Sequence, residues 1–311
     1  MMLNVRFFQK ILAPILFPIS MLYLSIINVR NFLYDIGFFK TTKADGVKII
    51  SIGNIKAGGT GKTPLCIGIS NYLNALGFKT AIITNAYKAK QKSALIVSDG
   101  SNIFHKTPTV NDETYLLSKK TRSIIVSAKD RLSAIELLKQ FKPEYIILDD
   151  GLQYRKIAKD LEVCIIDSER FYLPFGYLRD SKKSLKRCQK LVCFDGDCEI
   201  KAQIKITGFF DIDGVIKKPK SAFVFCSIGN PKKFLTSIKT LGIEIKGFKC
   251  FNDHYYYTQK DIELLKSLKM KAKAYSLLTT YKDFVKIEKP GIAYLDIEAE
   301  LDYNALLEGI V

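Results

Sequence analysis

Six consecutive residues, Gly58-Gly59-Thr60-Gly61-Lys62-Thr63, combine three glycines with a lysine and two hydroxyls. Glycine lacks a Cβ, so such a run can turn its backbone N–H groups inward around an anion. β-Branched residues precede it (Ile49, Ile50, Ile52), and helix-compatible positions follow through Leu73 and Leu76 until Gly77. The stretch reads as strand, turn and helix start, and the helix lends the turn the positive end of its dipole. In that arrangement Lys62 reaches the β- and γ-phosphates of a nucleotide, and the Thr63 hydroxyl ligands Mg²⁺. The candidate nucleotide loop is Lys56, Ala57, Gly58, Gly59, Thr60, Gly61, Lys62 and Thr63, with Lys56 where the usual pattern has its first glycine. An ordinary glycine-rich turn is the plainer alternative, but it leaves Gly-Lys-Thr at the helix start without a reason.

A second group of polar residues sits at the end of an apolar strand, 145–149. It closes on Asp149, Asp150 and Gly151, with Gln153 just beyond. In phosphate-loop enzymes a carboxylate at such a tip holds Mg²⁺ or its water shell. Asp149 and Asp150 suit that role, and Gln153 could orient a hydroxyl; a solvated turn is the alternative. Asn111-Asp112-Glu113 opens a helix expected over 114–119, where acidic residues ordinarily serve as caps and dipole partners. Of the two histidines, His105 lies in a polar turn. His254 enters a helix beside Asp253 and Tyr255, Tyr256 and Tyr257, which makes it a candidate for acid–base work, with a purely structural histidine as the alternative. The tyrosines offer amphipathic contact area for a sugar or lipid. Arg179 and Asp180 occupy a loop, either clamping a phosphate bidentately or forming a surface ion pair.

The elements that must position these groups alternate. Strand-like runs at 80–84, 93–97, 123–127 and 163–167 are interleaved with helical patterns such as 130–141, predicting a mostly parallel sheet with helices on both faces. A strand at 203–209 ends the first unit, residues 41–210, and a polar Lys/Pro-rich linker covers 211–220. A smaller α/β unit at 221–311 follows, with a cleft between the two. Residues 1–40 form an N-terminal helical segment. Its stretch 11–27 has no charge and spans about 25 Å as a helix, close to the lower limit for a bilayer. Pro14 and Pro18 interrupt it, and no small-residue cleavage site follows, so a removed signal peptide is not expected. It reads as a kinked interfacial helix, a marginal span, or a cover for its own domain.

The net charge of +17 over 311 residues is spread along the whole chain rather than gathered in a recognition helix. Such a surface suits an anionic membrane or a phosphorylated substrate better than nucleic acid. Seven cysteines without a Cys-x-x-Cys pair fit a reducing cytoplasm. Cys188, Cys193 and Cys198 are evenly spaced but have no histidine nearby, so a metal site is not expected there.

In this order the pieces resemble the tetraacyldisaccharide 4′-kinase family of lipid A synthesis. The apolar N-terminal helix, residues 51–64, 111–117, 148–153, 178–180 and 228–231, Asp253-His254 and residues 279–283 carry the resemblance across most of the chain. It implies a phosphate-loop kinase fold with a second, smaller domain closing over the cleft. The implied reaction moves the γ-phosphate of ATP, with Mg²⁺, to the 4′-hydroxyl of an acylated glucosamine disaccharide 1-phosphate. By resemblance Asp112 is the base, tuned by His254, while Lys62 neutralises phosphate and Glu113, Gln153, Arg179 and Asp180 contact substrate or phosphate. The family also implies the cytoplasmic face of the inner membrane, with no nucleic acid and no obligatory protein partner. Asn111, Tyr154, Asp180 and Tyr281 depart from the family pattern, as does the turn Asn85-Ala86-Tyr87-Lys88. The rival reading is a partner-switching phosphate-loop ATPase recruited to the membrane; its signature lysine would stand directly before the two glycines, where Ala57 is found.

Overall fold

The computed structural model describes residues 2–86 and 93–311, so Tyr87 and Lys88 of the altered turn lie outside the described residues. Helix α1 (Met2–Asp35) leads to β1 (Lys48–Asn54), α2 (Lys62–Ala75), β2 (Thr80–Asn85), β3 (Leu95–Ser98), α3 (Asp112–Lys120) and β4 (Ile124–Ala128). Next come α4 (Arg131–Leu138), β5 (Tyr145–Asp149), β6 (Leu161–Ile165), β7 (Lys190–Cys193) and β8 (Ile200–Lys201). These strands form one sheet in the order β3-β4-β2-β5-β1-β6-β7-β8, parallel except for β3, which runs antiparallel to β4. Alternate residues of the central strands feed two cores. Ile50, Ile52, Ile82 and Ile147 pack toward α2 and α3, whereas Ile49, Ile83, Val126 and Ile146 pack toward α4. Burial on both faces is why these strands read as unbroken apolar runs.

The second sheet comprises β9 (Gln203–Asp211), β10 (Gly214–Ile216), β11 (Ser221–Cys226), β12 (Glu244–Cys250), β13 (Ser276–Thr280) and β14 (Ala293–Glu300). Its order is β10-β9-β14-β13-β11-β12. Helices α5 (Pro231–Thr240) and α6 (Gln259–Lys271) cover its two faces, with the short α7 (Tyr281–Phe284) after β13. The α/β class, the mostly parallel phosphate-loop sheet, the second α/β unit and the apolar N-terminal helix all agree with the sequence reading.

The boundaries between the units differ from that reading. β9 pairs antiparallel with β14 from Gln203↔Glu300 to Tyr294↔Phe210, and β10 folds back on β9 as a hairpin. The stretch read as the end of the first unit plus a linker therefore belongs to the second sheet. The lysines and proline after β10 masked a hairpin whose strands are only half buried. At the other end, α8 (Tyr303–Leu307) returns to the first unit. Leu306, Leu307 and Ile310 join the core on the α2 side, and the Ile310 carbonyl accepts from Lys48 Nζ (2.8 Å) and Tyr145 OH (2.9 Å). Gly68 of α2 makes this docking possible, since a Cβ there would stand 1.8 Å from the Tyr303 hydroxyl.

Two further differences are local. Cys193 and Cys198 form a disulfide where the sequence reading had only thiols, and the other five cysteines are free. Helix α1 continues past the apolar run to Asp35, with both prolines inside it. Its inner stripe, Ser20, Tyr23, Ile27 and Asn31, lies on the first unit, while Ile15, Ile19, Leu22, Ile26 and Val29 are exposed.

Candidate active site

The phosphate loop hangs between the end of β1 and the start of α2. Gly58 (φ 105°) and Gly61 (φ 95°) adopt the left-handed conformation that side chains disfavour. A Cβ added at Gly58 or Gly59 would meet nothing within 4 Å, so the loop leaves an open cradle; at Gly61 it would lie 2.3 Å from the Phe194 ring. No side chain caps α2 at Gly61, which leaves its first N–H groups to an anion. Lys62 Nζ donates to Asn54 Oδ1 (3.1 Å) and stands 3.6 Å from Asp150 Oδ1, while Asn54 Nδ2 donates to Thr60 Oγ1 (2.8 Å). Thr63 is half buried in the first turn of α2. Lys56 pairs with Asp167 just after β6, and Ala57 N donates to the Tyr177 carbonyl (2.8 Å).

Beside this loop, β5 delivers Asp149 and then Asp150, whose φ of 56° turns the chain sharply. Gly151 is obligatory there, since a Cβ would sit 2.4 Å from Ser51 Oγ on the neighbouring strand. Arg131, buried at the start of α4, donates through Nη2 to the carbonyls of Asp149 (2.6 Å) and Asp150 (3.0 Å). Burial pushes the Asp149 carboxyl up to about 7, with the charges of Asp150 and Glu113 adding to the rise. Burial also opposes ionisation of Asp150, but Arg179, Lys62 and Arg131 outweigh it and hold that carboxyl below its ordinary value. Cradle, lysine, hydroxyl and paired carboxylates suit a Mg²⁺–nucleotide. Among the described residues no cluster of three or more His, Cys, Asp or Glu forms a protein-only cage, so the ion would complete its shell with phosphate and water oxygens.

Across the cleft the two units meet at Asp112. Asn111, not Asp112, caps α3: its side chain accepts from Thr114 N (2.8 Å) and donates to the Asn85 carbonyl at the end of β2 (2.7 Å). The buried Asp112 carboxylate is thereby free to meet His254, whose Nδ1 lies 3.0 and 3.1 Å from its two oxygens. His254 sits in a left-handed turn (φ 62°) after β12, its N–H donating to the Ser227 carbonyl (3.3 Å). Lys282 Nζ (3.8 Å) and Lys286 Nζ (3.9 Å) also approach Asp112, and Lys282 pairs with Glu113 (3.0 Å). Burial alone would raise the Asp112 pKa, yet His254, Lys282 and Lys286 draw it down to about 2. The hydrogen bond to Asp112 raises that of His254, against burial and the Lys282 charge.

The remaining expected residues lie in the same neighbourhood with different partners. Arg179 grips Asp150 through both terminal nitrogens and reaches Asn54 Oδ1 (2.7 Å), so the carboxylate rather than a phosphate fills its fork. Asp180 is fully buried and accepts from Asn31, Ser184 and Gln153; Gln153 also donates to the Asn54 carbonyl (2.8 Å). Tyr255 and Tyr257 pack inward with Phe251, leaving Tyr256 exposed near Asp112. Sequence reasoning missed Asn54, Arg131, Lys282 and Lys286. The first is adjacent to the loop and Lys282 lies within a segment of the resemblance, but Arg131 and Lys286 carry no signal beyond their type.

Comparison with known proteins supplies the family. A model described as LpxK, tetraacyldisaccharide-1-P 4′-kinase, matches residues 12–311. A tetraacyldisaccharide 4′-kinase from Chlorobium phaeobacteroides is 35% identical over 88% of this chain and 86% of its own length. One from Rickettsia canadensis is 33% identical over 97% and 94%. Among solved structures, LpxK from Aquifex aeolicus in complex with ATP superposes with a TM-score of 0.79 at 30% identity, covering 96% of this chain and 97% of that one. The glycine cradle, the carboxylate pair and the cross-cleft Asp–His contact thus lie in a chain that belongs to the tetraacyldisaccharide-1-P 4′-kinase family.

Proposed function

We propose that the protein transfers the γ-phosphate of ATP to the 4′-hydroxyl of tetraacyldisaccharide 1-phosphate, giving lipid IVA in lipid A biosynthesis. The observation that carries this reading is the meeting of Asp112 and His254 from separate units beside a phosphate loop and a carboxylate pair. Thr63 and an Asp149/Asp150 carboxylate would hold Mg²⁺, which would supply positive charge to neutralise the phosphates. Lys62 and the first turn of α2 stabilise the charge that develops on the transferred group. Arg179 and Arg131 hold the β5 tip, and Glu113 fixes Lys282 next to Asp112.

Asp112 accepts the hydrogen bond of the 4′-hydroxyl and takes its proton. A carboxylate with a pKa of about 2 is a weak base. A loose phosphoryl transition state asks for little proton removal before the P–O bond forms, so orientation counts for more than basicity. Tyr256, exposed near Asp112, offers a ring face to the sugar. The partner-switching alternative is not favoured, because Ala57 lacks the signature ammonium and residues 12–311 match a kinase family.

The same reading places the protein on the cytoplasmic membrane face, where its acylated acceptor resides. The outer stripe of α1 is apolar while its inner stripe is hydrogen-bonded to the protein, the reverse of a helix built to face water. An assay with labelled ATP and a disaccharide 1-phosphate acceptor tests the assignment. Lys62→Ala should lose several orders of magnitude in transfer with an unchanged circular dichroism spectrum; activity within about threefold of wild type would remove Lys62 from the chemistry.

A further inference from the structure

Asn31 belongs to α1, yet its side chain is buried and fully used inward. Its Nδ2 donates to Asp180 Oδ1 (3.1 Å) and Ser184 Oγ (3.1 Å), and its Oδ1 accepts from Arg30 Nη2 (3.2 Å). Asp180 passes the contact on: its other oxygen accepts from Gln153 Nε2 (3.2 Å), which also donates to the Asn54 carbonyl (2.8 Å). A second route starts at Tyr23, whose hydroxyl donates to the Arg179 carbonyl (3.0 Å), while the Arg179 guanidinium binds Asp150 and Asn54 Oδ1. Both routes end on Asn54, the residue that orients Thr60 and receives Lys62.

A helix that served only as an anchor would need an apolar face and unspecific packing. These contacts are polar, directional and buried, and a buried carboxylate such as Asp180 depends on every donor it has. We propose that Asn31, with Tyr23, is a positioning residue for the nucleotide site. Through Asp180 and Arg179, the seating of the N-terminal helix sets the geometry of Asn54 and the Asp150 carboxylate, and with it the affinity for Mg²⁺–ATP. The inference rests on the kinase reading and adds that the membrane-facing helix and the phosphate loop are energetically coupled.

The test is calorimetric titration of Mg²⁺–ATP into the full-length protein, which needs no acceptor and no turnover. Asn31→Leu should raise the ATP Kd about three- to tenfold, within the range of coupling carried by such networks, and Tyr23→Phe should raise it by a smaller factor. The KM for ATP should follow, while the KM for the acceptor and sedimentation with phosphatidylethanolamine–phosphatidylglycerol vesicles stay at wild-type values. Ile26→Ser, on the outer stripe, should alter sedimentation and leave the ATP Kd alone. In an Asp180→Asn background, Asn31→Leu should add nothing further. A merely structural Asn31 would lower the melting temperature and leave the Kd of the folded protein unchanged, which overturns the proposal, as do additive losses in the double variant. Should Asn31→Leu not fold, Tyr23→Phe decides, since it deletes one oxygen. A wild-type protein that binds no ATP would overturn the kinase reading instead.

Discussion

The contact between Asp112 and His254 spans 142 residues of sequence and joins groups whose charged forms stabilise each other. His254 has a raised pKa, so its stabilising contribution is complete below the ordinary histidine value of about 6.5 and fades as pH climbs through the raised one. Asp112 has a depressed pKa, so its contribution is present above the ordinary 3.8 and is lost only as pH falls toward about 2. The pair therefore adds most to stability between about pH 4 and 6.5. His254→Ala should lower the melting temperature most in that window, with the difference from wild type shrinking at higher pH. Turnover should run the other way: loss of the His254 proton makes Asp112 more basic, so kcat rises with pH through the His254 ionisation. His254→Ala should abolish that limb; a pH–rate profile identical to wild type would remove the histidine from the chemistry. Each single alanine variant should cost about two to four orders of magnitude in kcat. The double variant should be little worse than the worse single one, since groups acting as a unit are strongly non-additive. Asp112 was hard to recognise from local sequence because the first turn of a helix so often holds acidic caps; only the capping by Asn111 shows the aspartate to be spare. Lys286 is fully buried among Asp112, Asp283 and Ser227, a setting created wholly by tertiary packing.

At the level of elements, strand and helix identities were legible wherever one physical pattern dominated. β1, β2, β4 and β5 are buried on both faces and stand out as β-branched runs, and the glycine loop follows from its own composition. β9 was misassigned because its partner is the distant β14, paired from Gln203↔Glu300 to Phe210↔Tyr294, and β10 follows β9 into that sheet as a hairpin strand. The docking of α8 on α2 had a single trace in the sequence, a glycine in the middle of a helix that would otherwise favour alanine. Gly68→Ala should accordingly destabilise the protein by about 1–3 kcal/mol through overpacking, despite alanine's better helix propensity. Denaturant midpoints would measure this, and pairing the change with Tyr303→Ala should recover part of the loss. No effect of Gly68→Ala would mean that Tyr303 moves aside freely.

Taken whole, the molecule is asymmetric about its cleft, with α1 on the first unit and ionic contacts knitting the second unit to α3. Lys119 pairs with Glu288 (2.9 Å), Lys120 with Asp296, and the Tyr115 hydroxyl donates to Glu288 (3.1 Å). These pairs are partly exposed, so raising the salt concentration should loosen the second unit more than either core. Hydrogen exchange should report this as faster exchange in α7 and the His254 turn, with β1 and β5 unchanged. Leu22→Asp with Ile26→Asp, on the outer stripe of α1, should release the protein from sedimenting membranes while its ATP affinity holds; retention on membranes would shift the anchoring to the basic surface.

The chain passes between the two units twice, once into β9 and once out of β14, and the two passages are neighbours, paired at Gln203↔Glu300. A body tied at two adjacent points by a hydrogen-bonded ribbon is not free to tumble. It bends easily about the line across the ribbon and strongly resists rotation within its plane or sliding along it. Such a tether would leave His254 fewer ways to shift relative to Asp112 than a single flexible linker would. The N-terminal and C-terminal parts of the first unit, separated in sequence by the entire second sheet, are what fix that axis in place.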